Sequence, residues 1–286
     1  MASPPATRPP GPSASRIRID SRRRRFPDLR EVFQHRELIV LFGRRDITAR
    51  YRQTVLGSVW IFAGPLVSAG LFSFVFGRVA ALPSGGVPYF VFSYAGLLAW
   101  SLFSGSLSSA STSITANAGL ITKIYFPRLV VPFSTMASPL LNFFISLGVM
   151  IFLLLISGVG FTVQLVVLPV WIILAIVLGM GLALTLTSLS VWYRDVGYVT
   201  PLVLQLLLYL SPVAYSLDAV PENLRNLYLL NPLTTILEGA RWSLLGGSSS
   251  LPPAWAIAYT VVFSLVALTS GMAVFANLEG NFADAI

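Results

Sequence analysis

Long uncharged stretches limit the folds open to this chain more than any other feature of its sequence. No Asp, Glu, Lys, Arg or His occurs in the 65 residues from 129 to 193, and another 25 such residues run from 53 to 77. A helix needs about 20 predominantly apolar residues to cross the hydrocarbon core of a bilayer. Stretches of this length, in a chain that is 55% hydrophobic and only 10% charged, predict an all-α integral membrane protein.

Charges and polar turns divide the apolar sequence into six predicted transmembrane helices. The stretch 129–193 holds two of them, separated by a Ser-Gly-Val-Gly turn at 157–160. The polar residues 104–122 are interpreted as the continuation of the second span into water. The spans are predicted at about 55–77, 87–107, 133–156, 164–190, 196–212 and 253–275.

The basic residues predict the orientation of these spans. Thirteen of the 19 Lys and Arg residues lie in the first 52 positions. If the N-terminus is cytoplasmic, Arg78, Arg225 and Arg241 are the only basic residues on the outer side of the membrane. This orientation agrees with the rule that Lys and Arg are in excess on the cytoplasmic side. We therefore expect a multi-pass membrane protein with both termini in the cytoplasm.

The basic N-terminal region is predicted to contain two parts. Residues 1–25 are rich in Arg, Pro and Ser, which predicts a disordered tail. Residues 26–54 are predicted to form an amphipathic interface helix with a linker, opened by Asp28 and Glu31 and ended at Gly43. A plain cytoplasmic linker is the alternative. The transmembrane domain is predicted at 55–278, followed by a cytoplasmic tail at 279–286.

The segment between the fifth and sixth spans does not fit a simple loop. It is apolar, yet prolines at 212, 221 and 232 divide it into pieces too short to cross the membrane. We predict a re-entrant outer hairpin of two helices at about 221–230 and 232–245. An ordinary extracellular loop is the weaker alternative, because it would hold several leucines in water.

The sequence offers few residues for chemistry. It contains no cysteine, His35 is its only histidine, Lys123 is its only lysine, and no P-loop motif is present. The five longest predicted spans carry no ionisable residue, which disfavours an ion-coupled carrier. These features predict a passive conduit rather than an enzyme, with no metal and no cofactor in this chain.

Two predicted cytoplasmic connections carry candidate contacts to a partner. Residues 117–126 are predicted to form a short helix with an apolar face, and residues 192–196 a tight charged turn. A frayed span end and a plain positive anchor are the respective alternatives. The candidate coupling residues are Asn117, Leu120, Ile121, Lys123, Ile124, Tyr125, Arg194 and Asp195.

Aromatic and arginine side chains supply candidate substrate contacts. Aromatic rings suit the C–H faces of sugars, although they also mark membrane interfaces and fill lipid-facing surfaces. The candidate path residues are Trp60, Phe62, Phe72, Phe76, Tyr94, Trp100 and Tyr209. Guanidinium groups match phosphate oxygens, so the candidates for binding a phosphate group are Arg44, Arg45, Arg50 and Arg52; the family resemblance given below implies that this group is a lipid diphosphate. Plain inside-positive anchoring is an equal alternative for these arginines.

Several motifs in order resemble those of type-2 ABC exporter permeases, and specifically of their polysaccharide branch. The resemblance covers roughly residues 28–280. The motifs are RRDITARYRQTVLGSVW at 44–60 with Gly64-Pro65, the segment 117–132, WYRDV at 192–196, LSPV at 210–213 and LNPL at 230–233.

The resemblance implies the permease subunit of an exporter for a polyprenyl-diphosphate-linked polysaccharide such as O-antigen, teichoic acid or galactan. It implies a homodimeric pore driven by two copies of a separate ATPase subunit, which would carry the ATP and Mg. Residues 117–126 would be the main coupling helix and 28–42 the interface helix. The 213–245 hairpin would form the outer gate, with Asn231, Pro232, Glu238 and Arg241 as its gate residues.

Two other function classes remain open at this stage. A type-2 ABC permease for a drug or simple lipid would share the spans but tolerate loss of the aromatic residues. A channel or ion-coupled carrier would move its cargo without any ATPase, and the uncharged spans count against it. A membrane enzyme such as a lipid glycosyltransferase is the least favoured class.

Overall fold

The computed structural model of the chain describes residues 29–51, 59–123, 125–246 and 249–282. Within these ranges the chain is helical, with no strand, and the predicted tail 1–25 lies outside them. The α-helices are α1 (Leu29–Gln34), α2 (Arg36–Tyr51), α3 (Val59–Phe72), α4 (Tyr89–Ser111), α5 (Ser113–Ala116), α6 (Ala118–Ile121), α7 (Val130–Ser134), α8 (Ala137–Ser157), α9 (Leu168–Ser190), α10 (Val196–Leu210), α11 (Glu222–Leu229), α12 (Pro232–Leu245) and α13 (Ala254–Glu279).

Five helical segments in the described ranges are long and apolar enough to cross a membrane. They coincide with predicted spans one to four and six, with ends shifted by a few residues. The first ends in a π-helical turn at Ser73–Val79, and the fourth begins with the 3₁₀ turn Val163–Val167. The segments are Ile61–Val79, Tyr89–Ser111, Val130–Ser157, Val163–Ser190 and Ala254–Glu279.

Helix α4 is the centre of the bundle. It packs against α3, α8, α9 and α12, and residues 91–100 are all buried. Its polar side chains find carbonyl partners on neighbouring helices: the Ser93 hydroxyl donates to the carbonyl of Ala69 at 3.3 Å, and the Tyr94 hydroxyl to that of Ser146 at 3.2 Å. A buried polar group costs free energy unless it is hydrogen-bonded, so these contacts fix how α4 sits between its neighbours.

Helices α9 and α13 form the most extensive helix pair, and glycines allow their close approach. A Cβ atom on Gly271 would lie 2.2 Å from the carbonyl oxygen of Gly181. Small residues at such a crossing bring two backbones together, which is how apolar helices gain packing energy inside lipid.

The predicted stop of the interface helix at Gly43 is wrong. Helix α2 passes through Gly43 and ends at Tyr51, and Gly43 is buried. A Cβ atom at this position would lie 2.7 Å from the Cβ of Ala137. The glycine therefore serves the contact between α2 and the start of α8 rather than ending a helix.

The prediction that residues 104–122 run out into water is also wrong. Helix α4 continues to Ser111, and two further helical turns, α5 and α6, follow. The side chains of Ser106, Ser113 and Ile114 are buried, and the Ser113 hydroxyl lies 3.4 Å from that of Thr187 on α9. The hydroxyls of Ser111 and Ser113 donate to helix carbonyls three residues earlier, so their polarity does not prevent burial, whereas the buried Ser106 hydroxyl has no partner.

The fifth predicted span is represented by α10, which is shorter than the others. Its 15 residues correspond to about 22 Å at the rise of an α-helix, against about 30 Å of hydrocarbon. The described residues thus contain five long spanning segments and one shorter apolar helix, and the sixth span stays a prediction.

The two helices predicted between α10 and the last span are present. Helices α11 and α12 match the predicted 221–230 and 232–245 within one residue at each end. Asn231 separates them and its side-chain oxygen accepts the Leu233 N–H at 3.1 Å, while Pro232 occupies the first helical turn. The chain here forms two helices because a capping residue and a proline restart it.

Candidate functional sites at the two ends of the bundle

At one end of the bundle, α2 holds the connection between α4 and α7. This connection contains residues 117–126, which we call the inner segment. The Arg45 guanidinium donates to the side-chain oxygen of Asn117 at 2.6 Å and to Asp46 at 2.9 Å. The Phe42 and Phe126 rings meet edge to face, 5.7 Å between centroids. Helix α2 therefore contacts both ends of the inner segment.

The predicted apolar face of the inner segment is divided by the fold. Helix α6 ends at Ile121, which is only 6% exposed because it packs into the core. Tyr125 is 80% exposed, and Lys123 is exposed beside it. Leu120 is half-buried, and Ile124 lies outside the described residues. The segment thus presents Lys123 and Tyr125 outward instead of a continuous face of one helix.

The second predicted connection lies between α9 and α10. Trp192, Tyr193, Arg194 and Asp195 are all exposed in this turn. A tight turn with two exposed aromatic rings and a pair of opposite charges is a surface that a partner protein can contact.

The four candidate phosphate-binding arginines differ in their surroundings. Arg44 and Arg50 are exposed on α2, whereas Arg45 is engaged by Asp46 and Asn117. Arg52 lies outside the described residues. Arg44 and Arg50 are therefore the positions whose guanidinium groups can reach a phosphate without breaking the contact to the inner segment.

The candidate path residues are not gathered on one surface of this chain. Tyr94 and Trp100 are buried in the core of the bundle. Tyr209 is exposed near the end of α10, and the Phe72 and Phe76 rings meet 5.8 Å apart. Phe62, earlier on α3, is half-buried. The side chain of Trp60 is outside the described part. Tyr94 and Trp100 serve here as packing residues.

At the opposite end, a buried arginine holds the connection between α10 and α11. Arg241 on α12 is fully buried, and its guanidinium carbon lies 4.1 Å from the centre of the Phe92 ring on α4. The guanidinium donates to four oxygens, namely those of the carbonyls of Pro212 (2.8 Å), Val213 (2.9 Å) and Tyr215 (3.3 Å) and Oε1 of Glu238 (2.8 Å).

Glu238 extends this network to both sides of α12. Its Oε1 accepts the main-chain N–H of Leu217 at 3.0 Å, and its Oε2 accepts the hydroxyl of Ser249 at 3.2 Å. The Asn231 side-chain amide donates to the Ser211 hydroxyl at 2.9 Å. A buried ion pair needs further hydrogen bonds to both partners; here Nη1 and Nη2 of Arg241 and both carboxylate oxygens of Glu238 are hydrogen-bonded, whereas Nε of Arg241 has no partner.

Helix α12 is consequently a buried part of the bundle rather than an exposed flap. The indole N–H of Trp171 on α9 donates to the Ser243 hydroxyl at 3.1 Å. On the other side, a Cβ atom at Gly96 of α4 would lie 2.2 Å from the carbonyl oxygen of Val213. Gly96 was not a sequence candidate, because its contact depends on which helix packs beside α12.

No group of three or more His, Cys, Asp or Glu residues that could hold a metal ion occurs in the described part of the chain.

An all-helical bundle with five apolar membrane-length helices and a buried polar network at one end defines a multi-pass membrane protein. The sequence matches the ABC-2 type transporter family over residues 37–245. The chain belongs to this family.

The chain is similar to relatives whose names describe O-antigen export or polysialic acid transport. It is 29% identical over 260 residues to the O-antigen export system permease protein RfbA of Myxococcus xanthus, covering 90% of this chain and 98% of that protein. It is 27% identical over 250 residues to the RfbA permease of Klebsiella pneumoniae, covering 87% and 94%. The polysialic acid transport protein KpsM of Escherichia coli is 28% identical over 244 residues, covering 82% and 91%.

Proposed function

We propose that this chain is the permease subunit of an ABC exporter that moves a polyprenyl-diphosphate-linked polysaccharide out across the bacterial inner membrane. The observation that carries the proposal is the similarity to the Myxococcus xanthus O-antigen permease over 98% of that protein's length. The five longest predicted spans carry no ionisable residue, which fits a passive conduit that needs an external source of energy.

A second copy of the chain is proposed to complete the pore. Helix α10 is too short to match the bilayer, and short apolar helices are accommodated by oligomerisation or by thinning of the membrane. It also carries a row of exposed large side chains: Tyr198, Leu202, Leu206 and Tyr209. In the proposed homodimer this row faces the other copy.

The energy is proposed to come from two copies of a separate ATPase subunit, which bind the ATP and Mg. The inner segment and the turn at 192–196 supply its docking surface, with both termini of this chain on the same cytoplasmic side. The exposed Lys123, Tyr125 and Arg194 are the side chains that such a partner can contact directly.

Deletion of the gene tests the exported cargo. A strain without it should keep making the lipid-linked glycan but retain it in the cytoplasmic leaflet, and the wild-type gene should restore the glycan to the cell surface. Surface glycan is measured by labelling intact cells. Unchanged surface glycan together with lost efflux of a small amphiphile would instead assign the chain to drug or simple-lipid transport.

The docking surface is tested by Tyr125→Asp. This change places a charge at an exposed aromatic contact, so we expect ATP-dependent export to fall by about tenfold, equivalent to about 1.4 kcal/mol of binding. Export and ATPase activity are measured in proteoliposomes with the ATPase subunit. Phe161→Asp, at an exposed position in the loop before Val163–Val167, is the matched control and should leave both unchanged. Normal export by the Tyr125 variant would rule out this surface.

A further inference from the structure

The end of α13 meets the chain at Arg128, two residues beyond the inner segment. Its main-chain N–H donates to Oε1 of Glu279 at 3.2 Å, and its guanidinium donates to the main-chain oxygen of Glu279. The guanidinium carbon lies 5.9 Å from the ring centre of Phe282. Phe282 is fully buried and meets Phe275 edge to face at 5.3 Å. We call Arg128, Glu279 and Phe282 the Arg128 clasp.

The clasp changes the description of the predicted tail at 279–286. Glu279 is half-buried and Phe282 is buried against the bundle, whereas residues 280 and 281 are exposed, and residues 283–286 lie outside the described residues. The last carbonyls of a helix have no partner within that helix, and a cation near them is favoured by the helix dipole. At the end of α13, the Arg128 guanidinium supplies both a hydrogen-bond donor for a helix carbonyl and a positive charge. This contact joins α13 to the chain just beyond the inner segment.

The inner segment is therefore anchored on both sides. Arg45 holds it at Asn117, and Arg128 holds the chain just beyond Pro127. Lys123 and Tyr125 are exposed between these two anchors. A short segment held on both sides moves with the helices that hold it, here α2 and α13.

We propose that the Arg128 clasp positions the inner segment against the ATPase partner and passes its movement to α13. Helix α13 packs along α9 through Gly181 and Gly271, so movement at the clasp reaches the centre of the bundle. These are positioning residues, and their role rests on the proposed function of the inner segment as the ATPase contact.

The positioning is tested first in the purified full chain, without any ATPase. The chain contains no cysteine, so Tyr125→Cys gives a single spin-label site on the inner segment. We expect Phe282→Ala or Arg128→Gln to increase label mobility in the electron paramagnetic resonance spectrum of the protein in nanodiscs. Phe282→Leu, which keeps an apolar side chain, should restore the wild-type spectrum.

A second label separates local positioning from general loosening. Tyr193→Cys lies in the other exposed turn and should give the same spectrum with and without the Phe282 substitution. Unchanged mobility at 125, or an equal increase at 125 and 193, would overturn the clasp.

The coupled system provides the functional readout. With the ATPase subunit present, Phe282→Ala should lower the glycan exported per ATP hydrolysed by about threefold to tenfold, which lies within the range of coupling measured through packed networks. ATPase activity itself should be retained. An unchanged ratio would overturn the role in coupling. Absence of ATP-driven glycan export by the wild-type chain would instead contradict the proposed function. The spin-label experiment would still test whether the Arg128 clasp positions the inner segment.

Discussion

Arg241→Ala should lower the free energy of unfolding by about 3–5 kcal/mol, the cost of removing one partner from a buried ion pair. The substitution leaves the Glu238 carboxylate buried without its cation and removes the donor from three carbonyls between α10 and α11. The loss is measured as a shift in unfolding of the purified protein in mixed micelles of SDS and a mild detergent.

Arg225 offers a matched control for this prediction. Its guanidinium also donates to two carbonyls, those of Val220 and Asp218, but the side chain is only part-buried. Arg225→Ala should therefore cost about 1 kcal/mol, the usual value of a hydrogen bond. The double variant Glu238→Gln/Arg241→Met should recover part of the loss, because it leaves no unpaired charge. If Arg225→Ala and Arg241→Ala lowered the free energy of unfolding equally, the stabilising role of the buried network around Arg241 would be contradicted.

Gly271→Ala should destabilise the bundle by about 2–3 kcal/mol, because the added methyl group overpacks the crossing of α9 and α13. The Cβ atom would lie 2.2 Å from the carbonyl oxygen of Gly181, and backbone cannot move aside as a flexible side chain can. Unfolding in the same mixed micelles measures the effect. The substitution should destabilise the whole bundle and not only α13, because α9 also packs against the central helix α4.

Gly148→Ala is the matched control in another long apolar helix. A Cβ atom at Gly148 on α8 would meet nothing within 4 Å. Alanine is favoured over glycine in a helix by about 0.8–1.0 kcal/mol, so this variant should be neutral or slightly more stable. A similar loss of stability in both variants would show that Gly271 is not required for the close approach of α9 and α13.

The long helices could be predicted from sequence because their length follows from the thickness of the bilayer. An uncharged stretch such as 129–193 has few alternatives inside lipid, where every backbone group must bond within its own helix. The helices α11 and α12 could be predicted for a different reason. The asparagine and proline at 231 and 232 supply the cap and first turn that restart a helix.

Gly43 and the inner segment show where sequence patterns failed. A glycine after an amphipathic stretch is typical of a helix end, but at Gly43 the absent side chain makes room for Ala137. Likewise, Ile121 and Tyr125 appear on one side of a helical projection, yet the helix ends at Ile121. Of these two residues Ile121 is buried and Tyr125 is exposed. Both errors arose because the neighbouring element is distant in sequence.

The sequence by itself determined that this chain crosses a membrane and where most of its long helices lie, because these depend on local composition and on the fixed dimensions of a bilayer. Only the tertiary structure decided which polar side chains meet. Arg241 and Phe92, Arg128 and Glu279, and Arg45 and Asn117 are each brought together across at least 70 residues. Their partners are selected by helix packing, in which shape and buried hydrogen bonds act together, and no local pattern records that choice.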